Sequence, residues 1–272
     1  MTAILAREIR DSMRSRWFLA LTGVFCALAL GVSYVSFAGA NSLGFAGFNR
    51  TVAGLLNLMV LFVPLMGLLI GALGLSGERE DGTLGYLLAQ PVGRFSVYAG
   101  KFFGQGLSLV LAVGLGLGLA GLVVGWNAGP GGAAAFGMLA LVAALLGAAS
   151  LGIGFLVSVR SATRMRALAY ALLLWVTFEF ALDALSVGLV TAGWLGPKEL
   201  LFASFANPVQ MAKILCLLSL SAKLEVLGPS GIYAVKTFGT FGSLLLFGGG
   251  LAAWALVPAG LGWLAFRKLN VR

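Results

Sequence analysis

Val52-Ala-Gly-Leu-Leu-Asn-Leu-Met-Val-Leu-Phe-Val-Pro-Leu-Met-Gly-Leu-Leu-Ile-Gly-Ala-Leu-Gly-Leu75 is an unbroken apolar run with no ionisable side chain, and Glu78-Arg-Glu-Asp81 follows it almost at once. The run is too long for a buried strand and long enough for a helix to cross a hydrocarbon core of about 30 Å. In lipid the backbone must satisfy its own hydrogen bonds, so the run reads as a membrane-spanning helix. Five more lie around it, at about 17–38, 102–126, 133–158, 167–190 and 243–266, and 52–75 is the second of six. The chain is therefore expected to be all-α, a polytopic membrane protein forming one six-span domain over 1–272. The first run exceeds a signal-peptide core and lacks a convincing small-residue cleavage site, so it is expected to remain as an anchor.

Composition points the same way. Of 272 residues 60% are hydrophobic and 10% charged, with a mean hydropathy of +1.02, whereas soluble domains carry roughly 25% charge. The net charge of +9 would suggest nucleic acid in a soluble protein, but here the cations lie between apolar runs rather than on one basic face. Histidine is absent and the two cysteines, Cys26 and Cys216, are far apart, which leaves no metal cluster, disulfide framework or His-based triad. No Gly-x-x-x-x-Gly-Lys-Ser/Thr run occurs, so no nucleotide-binding loop is present.

Positive charge near span ends stays on the cytoplasmic side. Arg7, Arg10, Arg14, Arg16, Arg79, Arg94, Lys101, Arg160, Arg164, Arg166, Arg267, Lys268 and Arg272 fall on one side, and Arg50, Lys198, Lys213, Lys223 and Lys236 on the other. Both termini are expected in the cytoplasm. Gly114, Gly118 and Gly121 in span three, and Ala143, Gly147 and Gly152 in span four, have the small-residue spacing that lets helices approach closely in lipid.

The connection Gly77-Glu-Arg-Glu-Asp-Gly-Thr-Leu-Gly-Tyr-Leu-Leu-Ala-Gln-Pro-Val-Gly-Arg94 is more than a linker. Glu78, Glu80 and Asp81 precede Thr83, which can cap a short helix whose positive dipole end favours the acids. Leu84, Leu87 and Leu88 at i, i+3 and i+4 give that helix one oily face, and Pro91 stops it. Such a helix serves as a handle for a partner or lies on the inner leaflet. The pattern Gly-Glu-x-Glu-x-Gly-Thr-Leu-x-x-Leu-Leu-x-x-Pro-Val-x-Arg after a second span resembles the coupling-helix region of ABC-2 type transporter permeases. Arg7-Glu-Ile-Arg-Asp11, running to Arg16-Trp17, resembles that family's amphipathic N-terminal helix.

The resemblance implies that Glu78, Glu80, Asp81, Gly82, Thr83, Leu84, Leu87, Leu88, Pro91 and Arg94 couple the chain to a cytoplasmic ATP-binding subunit. That subunit would bind the ATP and Mg, while this chain is a non-catalytic permease in a bacterial inner membrane, paired with a second copy of itself. Length, the Lys101-Phe-Phe-Gly-Gln-Gly106 start of span three, the acidic fifth span and Asn207-Pro208 resemble the branch serving nitrous-oxide reductase maturation. Many of those relatives have Asp soon after Asn-Pro, where this chain has Val209 and Gln210. The likeness implies a periplasmic β-helical partner and a role in sulfur supply or copper-sulfur centre assembly.

The outer connection, 191–242, is long enough to hold structure of its own. Pro208 can open a helix with Met211, Ile214, Leu215, Leu218 and Leu224 on its apolar face and Lys213 and Lys223 reaching headgroups, an expected outer interfacial helix. It would act as a lid or, on the resemblance, dock the periplasmic partner through Asn207, Pro208, Met211 and Ile214. Glu179 and Asp183, four residues apart in span five, are candidates for lining a passage or subunit interface, or for hydrogen bonding to Thr177, Ser186 or a neighbouring span. Two other functions fit these residues: an ABC-2 exporter of a drug, lipid or polysaccharide, and an ion-coupled carrier working through Glu179 and Asp183.

Overall fold

The computed structural model describes residues 2–38, 44–89, 92–128, 133–220 and 227–269. In chain order its helices are α1 (Thr2–Arg14), α2 (Arg16–Ala38), α3 (Gly44–Glu80), α4 (Thr83–Ala89), α5 (Arg94–Ala128) and α6 (Ala133–Arg160). They continue with α7 (Arg164–Val176), a π-helical turn (Thr177–Ala181), α8 (Leu182–Thr191), α9 (Pro197–Phe205), α10 (Pro208–Ser219) and α11 (Gly228–Arg267). No strand occurs among the described residues. Six are long and apolar enough to cross a membrane: α2, α3, α5, α6, the continuous run α7 to α8, and α11. The six expected spans are all there, and α3, α5 and α11 extend well beyond their apolar runs. Helix α3 continues to Glu80, α5 already starts at Arg94, and α11 starts at Gly228 and breaks at Gly239, where φ is 72°.

The core is built on α3 packed against α6, backbone against backbone. A Cβ on Gly71 would lie 2.7 Å from the Leu151 carbonyl oxygen, and one on Gly154 would lie 2.7 Å from that of Leu68. On the other side of α6, a Cβ on Gly152 would lie 2.8 Å from the Ala255 oxygen of α11. Of the glycines expected to mediate close approach, Gly152 and Gly147 do so, the Gly147 carbonyl lying 3.0 Å from a Cβ placed on Gly67, whereas Gly114 and Gly118 face open space and Gly121 meets the Phe136 side chain. In span two it is Gly67 and Gly71 that bring backbone against backbone, meeting Gly147, Leu151 and Gly154 of span four.

The helix ends gather at two faces. At one, here called the basic end, α1 meets the start of α5, and Arg94 Nη1 donates to the Arg267 carbonyl of α11 at 2.8 Å. At the other, Gly193 in left-handed conformation closes α8, with the Gly193 and Trp194 N–H groups bonding back to Val190 and Leu189. Helices α9 and α10 follow, bent by 113°. The bent pair lies between α8, which ends at this face, and α11, whose last turn is braced by Arg94 at the basic end.

This corrects the expectation of an interfacial helix. Pro208, Val209, Met211, Ala212, Ile214, Leu215, Cys216 and Leu218 are all buried, and α10 packs among α3, α6 and α11. A helix apolar almost all round belongs inside a protein, and α10 has few polar positions besides Gln210 and Lys213. Phe205 stacks on Phe247 with centroids 5.9 Å apart, Trp254 Nε1 donates to the Phe205 carbonyl at 2.9 Å, and Met211 fills the space above Gly250. Lys223 and Leu224 lie outside the described residues.

Candidate functional site

At the basic end, four consecutive residues bind four different groups. Glu78 Oε1 lies 2.9 Å from Lys101 Nζ of α5. Arg79 Nη1 donates to the Val159 and Ser161 carbonyls, at 3.5 Å each, where α6 ends and exposed carbonyls favour a cation. Glu80 Oε2 accepts from the Arg164 N–H at 2.6 Å, so it caps the positive end of α7 together with Thr163. Asp81 pairs with the Arg164 guanidinium, which passes over Gly77. The turn between spans two and three is thereby tied to the turn between spans four and five.

These bonds correct two expectations. The acids do not gather at the N-terminus of α4; they serve Lys101, α7 and Arg164. Thr83 is the first residue of α4, and its hydroxyl donates back to the Glu78 carbonyl at 3.3 Å instead of capping the helix. Gly82, at φ 72°, makes the sharp turn a bulkier residue would resist. The Asp81–Arg164 pair is about half exposed on both sides, so it contributes at most about 1 kcal/mol. The Lys101 contacts differ in kind, because its side chain is 3% exposed, and removing one partner of such a buried pair typically costs about 3 to 5 kcal/mol.

Lys101 also meets Glu8 Oε1 of α1 at 2.6 Å, and Gln105 Nε2 donates to Glu8 Oε2 at 3.2 Å. Lys101 and Gln105 are one turn apart and point the same way. Helix α1 seats where Gly104 leaves room: a Cβ there would lie 2.7 Å from Glu8 Cβ. Glu8, Lys101 and Gln105 were not singled out in the sequence as coupling residues. The signal was there in Glu8, an acid sharing a helix face with Leu5 and Ser12.

The oily face of α4 is turned inward. Leu84 is fully buried, and Leu87 and Leu88 pack against a cluster of Leu75, Val97, Tyr98, Phe155 and Phe266. That face is occupied by the chain's own core, and the side of α4 left open is the opposite one, where Tyr86 stands 81% exposed. Arg94 braces the end of α11, and Pro91 lies outside the described residues. The turn and α4 thus form a knob with an exposed aromatic tip, bonded to α5, α6 and α7 at the basic end.

In span five, Asp183 Oδ2 pairs with Lys213 Nζ of α10 at 2.9 Å. Lys213 and Asp183 are also the charged neighbours of Glu179, whose enclosed Oε2 makes no hydrogen bond to the protein. The hydroxyls of Thr177 and Ser186 bond to carbonyls of their own helix, at Leu173 and Leu182, and leave the acids alone. Glu179 lies in the π-helical turn, a feature frequent at functional sites. Asn207 supports that turn: its Nδ2 donates to the Phe178 carbonyl at 2.7 Å while its Oδ1 accepts from the Val209 N–H at 3.0 Å. Asn207, Pro208, Met211 and Ile214 are buried and present no surface to a docking partner.

Asn207→Ala removes a helix cap and leaves a buried carbonyl unpaired, so it is expected to destabilise the chain by about 2 to 4 kcal/mol. Thermal unfolding of the purified variant reads this directly. A melting temperature equal to that of the parent would show that the π-helical turn does not depend on Asn207.

Residues 2–271 match the ABC-2 family transporter proteins. The chain is 34% identical over 218 residues to the probable ABC transporter permease protein NosY of Pseudomonas aeruginosa, covering 78% of this chain and 79% of the relative. It is 31% identical over 226 residues to the probable ABC transporter permease protein NosY of Stutzerimonas stutzeri, with the same coverage of both chains.

Proposed function

The chain belongs to the ABC-2 transporter family, as the membrane-spanning permease subunit of an ABC transporter, and from that premise we propose that α4 is the point at which a cytoplasmic ATPase pushes on it. The observation that carries this is the pose of α4, oily face packed inward, Tyr86 outward, and residues 78–81 bonded to α5, α6 and α7. In this reading the basic end lies in the cytoplasm of a bacterial inner membrane, as the excess of Lys and Arg there supports. ATP and Mg are held by the partner, and this chain is a non-catalytic relay.

The permease works as a pair of copies. Only 6% of the residues along the apolar stretch of span five are buried, against 61% in spans two and four, although span five carries Glu179 and Asp183. Its acids are already met within the chain, Asp183 by Lys213 and Glu179 in an enclosed site, so it is the uncovered apolar length of span five that a second copy covers. Likeness to two NosY permeases supports a narrower role: sulfur supply or copper-sulfur centre assembly for nitrous-oxide reductase, with a periplasmic β-helical partner. Since Met211 and Ile214 are enclosed, that partner meets the exposed parts of the far face, where Trp194 and Phe202 stand out.

Gentle purification of the tagged chain from its own cells, followed by native mass spectrometry, is expected to recover two copies with an ATP-binding subunit and a periplasmic protein. Recovery with the ATPase alone would retain the transporter and remove the maturation role. A solitary chain, active without ATP, would overturn the proposal.

A further inference from the structure

Lys101 joins three elements that the proposed mechanism would move against one another. Its Nζ sits between Glu8 Oε1 of α1, at 2.6 Å, and Glu78 Oε1 at the end of α3, at 2.9 Å. An ammonium this deeply enclosed cannot lose both carboxylates, because desolvation penalises an unpaired buried charge severely. If α4 is displaced, one contact must hold and the other must yield.

The two contacts are unequal. The Glu8 side chain is 9% exposed, its second oxygen is held by Gln105, and its helix is wedged on Gly104. The Glu78 side chain is 21% exposed, and its Oε2, though enclosed, makes no hydrogen bond to the protein, so Glu78 has one anchoring contact where Glu8 has two. Glu78 is the more exposed of the two, and it sits four residues before the Gly82 turn that carries α4. Released, Glu78 can be solvated, whereas Glu8 cannot.

We infer that Lys101 is a selective joint, which keeps α1 fixed on α5 through Glu8 and lets go of Glu78 when α4 is driven. The N-terminal helix and the coupling helix are then separate bodies: α1 is a stationary rail on span three, and the end of span two slides past it. The sliding half of this inference rests on α4 being the ATPase contact; the unequal grip of Lys101 does not. Lys101 is in this sense a positioning residue, a role its place in the positive-charge count conceals.

The test uses the full chain in lipid nanodiscs, with Cys26 and Cys216 replaced by Ala and spin labels in pairs at Arg10→Cys with Phe103→Cys and at Ala89→Cys with Phe103→Cys. Pulsed electron paramagnetic resonance then reports α1 and α4 separately against span three. In the chain alone, Glu78→Gln is expected to broaden the 89–103 distance distribution roughly twofold and leave 10–103 unchanged, while Glu8→Gln broadens 10–103. Glu78→Asp, which keeps the charge on a shorter arm, serves if the Gln variant does not fold and should broaden 89–103 as well. Broadening of 10–103 by either Glu78 variant, or no change in 89–103, would overturn the joint. Adding the ATPase partner with trapped ATP should shift 89–103 and not 10–103. A joint change of both distances in this arm also overturns the inference, whereas no shift of either, with the chain-alone pattern intact, leaves the joint standing and defeats the ATPase reading of α4.

Discussion

Gly154→Leu is expected to abolish recovery of folded, monodisperse protein. A Cβ on Gly154 would lie 2.7 Å from the Leu68 oxygen, 3.0 Å from the Ala72 nitrogen and 3.0 Å from Gly71 Cα. All three are backbone atoms of α3, so no side chain can swing aside to make room. Inserting bulk into a packed core costs about 1 to 3 kcal/mol when neighbours can adjust. Here two helices must separate along their whole contact, and a cost above about 3 kcal/mol is expected, a large share of the roughly 5 to 15 kcal/mol that holds a domain together. Gly114→Leu is the control: it meets open space and should change stability by no more than about 0.5 kcal/mol. Fluorescence-detected size exclusion with a melting curve separates the two, and a well-behaved Gly154→Leu would mean that α3 and α6 are not packed as described.

The spans could be read from the amino acids because lipid imposes a length and a polarity that a chain can meet in few ways. The run from Val52 to Leu75 needs no knowledge of its neighbours to be a span. The position of α4 was legible for a similar reason, since Leu84, Leu87 and Leu88 fall at helical spacing between two spans. Which way that face turns was not legible. An apolar stripe shows that a helix has a partner, and cannot tell whether the partner is another protein or Phe155 and Phe266 of the same chain. The acids of residues 78–81 posed the same difficulty, as their partners Lys101 and Arg164 come from other spans. Glu8 and Lys101 are 93 residues apart, and in a charge count Lys101 is one more inner cation.

The outer connection was harder still. Met211, Ile214, Leu215 and Leu218 mark a helix in the sequence, yet the same residues serve on a membrane surface or inside a bundle. Cys216 and Ala212 on the remaining sides decide for the interior, a cue visible only once all faces of α10 are weighed together. The π-helical turn at Glu179 has no local sequence signal, because it depends on a donor that Asn207 supplies from 29 residues away.

Tyr86→Ala is expected to weaken binding of the ATPase partner by roughly 30- to 1,000-fold, corresponding to about 2 to 4 kcal/mol, as for an aromatic anchor at the centre of an interface. Tyr86 is 81% exposed on a seven-residue helix whose other large side chains, Leu84, Leu87 and Leu88, are turned inward. It is therefore the large side chain that α4 can place in a partner's cleft. Because the ring packs little against its own chain, the substitution should leave melting unchanged, which separates lost binding from lost folding. Tyr86→Phe keeps the ring and loses only the hydroxyl, so binding near the parent level would assign the effect to apolar contact; a loss equal to that of Ala would assign it to a hydrogen bond. Surface plasmon resonance of the purified ATPase over the chain in nanodiscs measures each case. Parent-like affinity in Tyr86→Ala would remove α4's exposed tip from the interface and shift the contact to the charged turn at Asp81 and Arg164, whose pair is open to solvent on both sides.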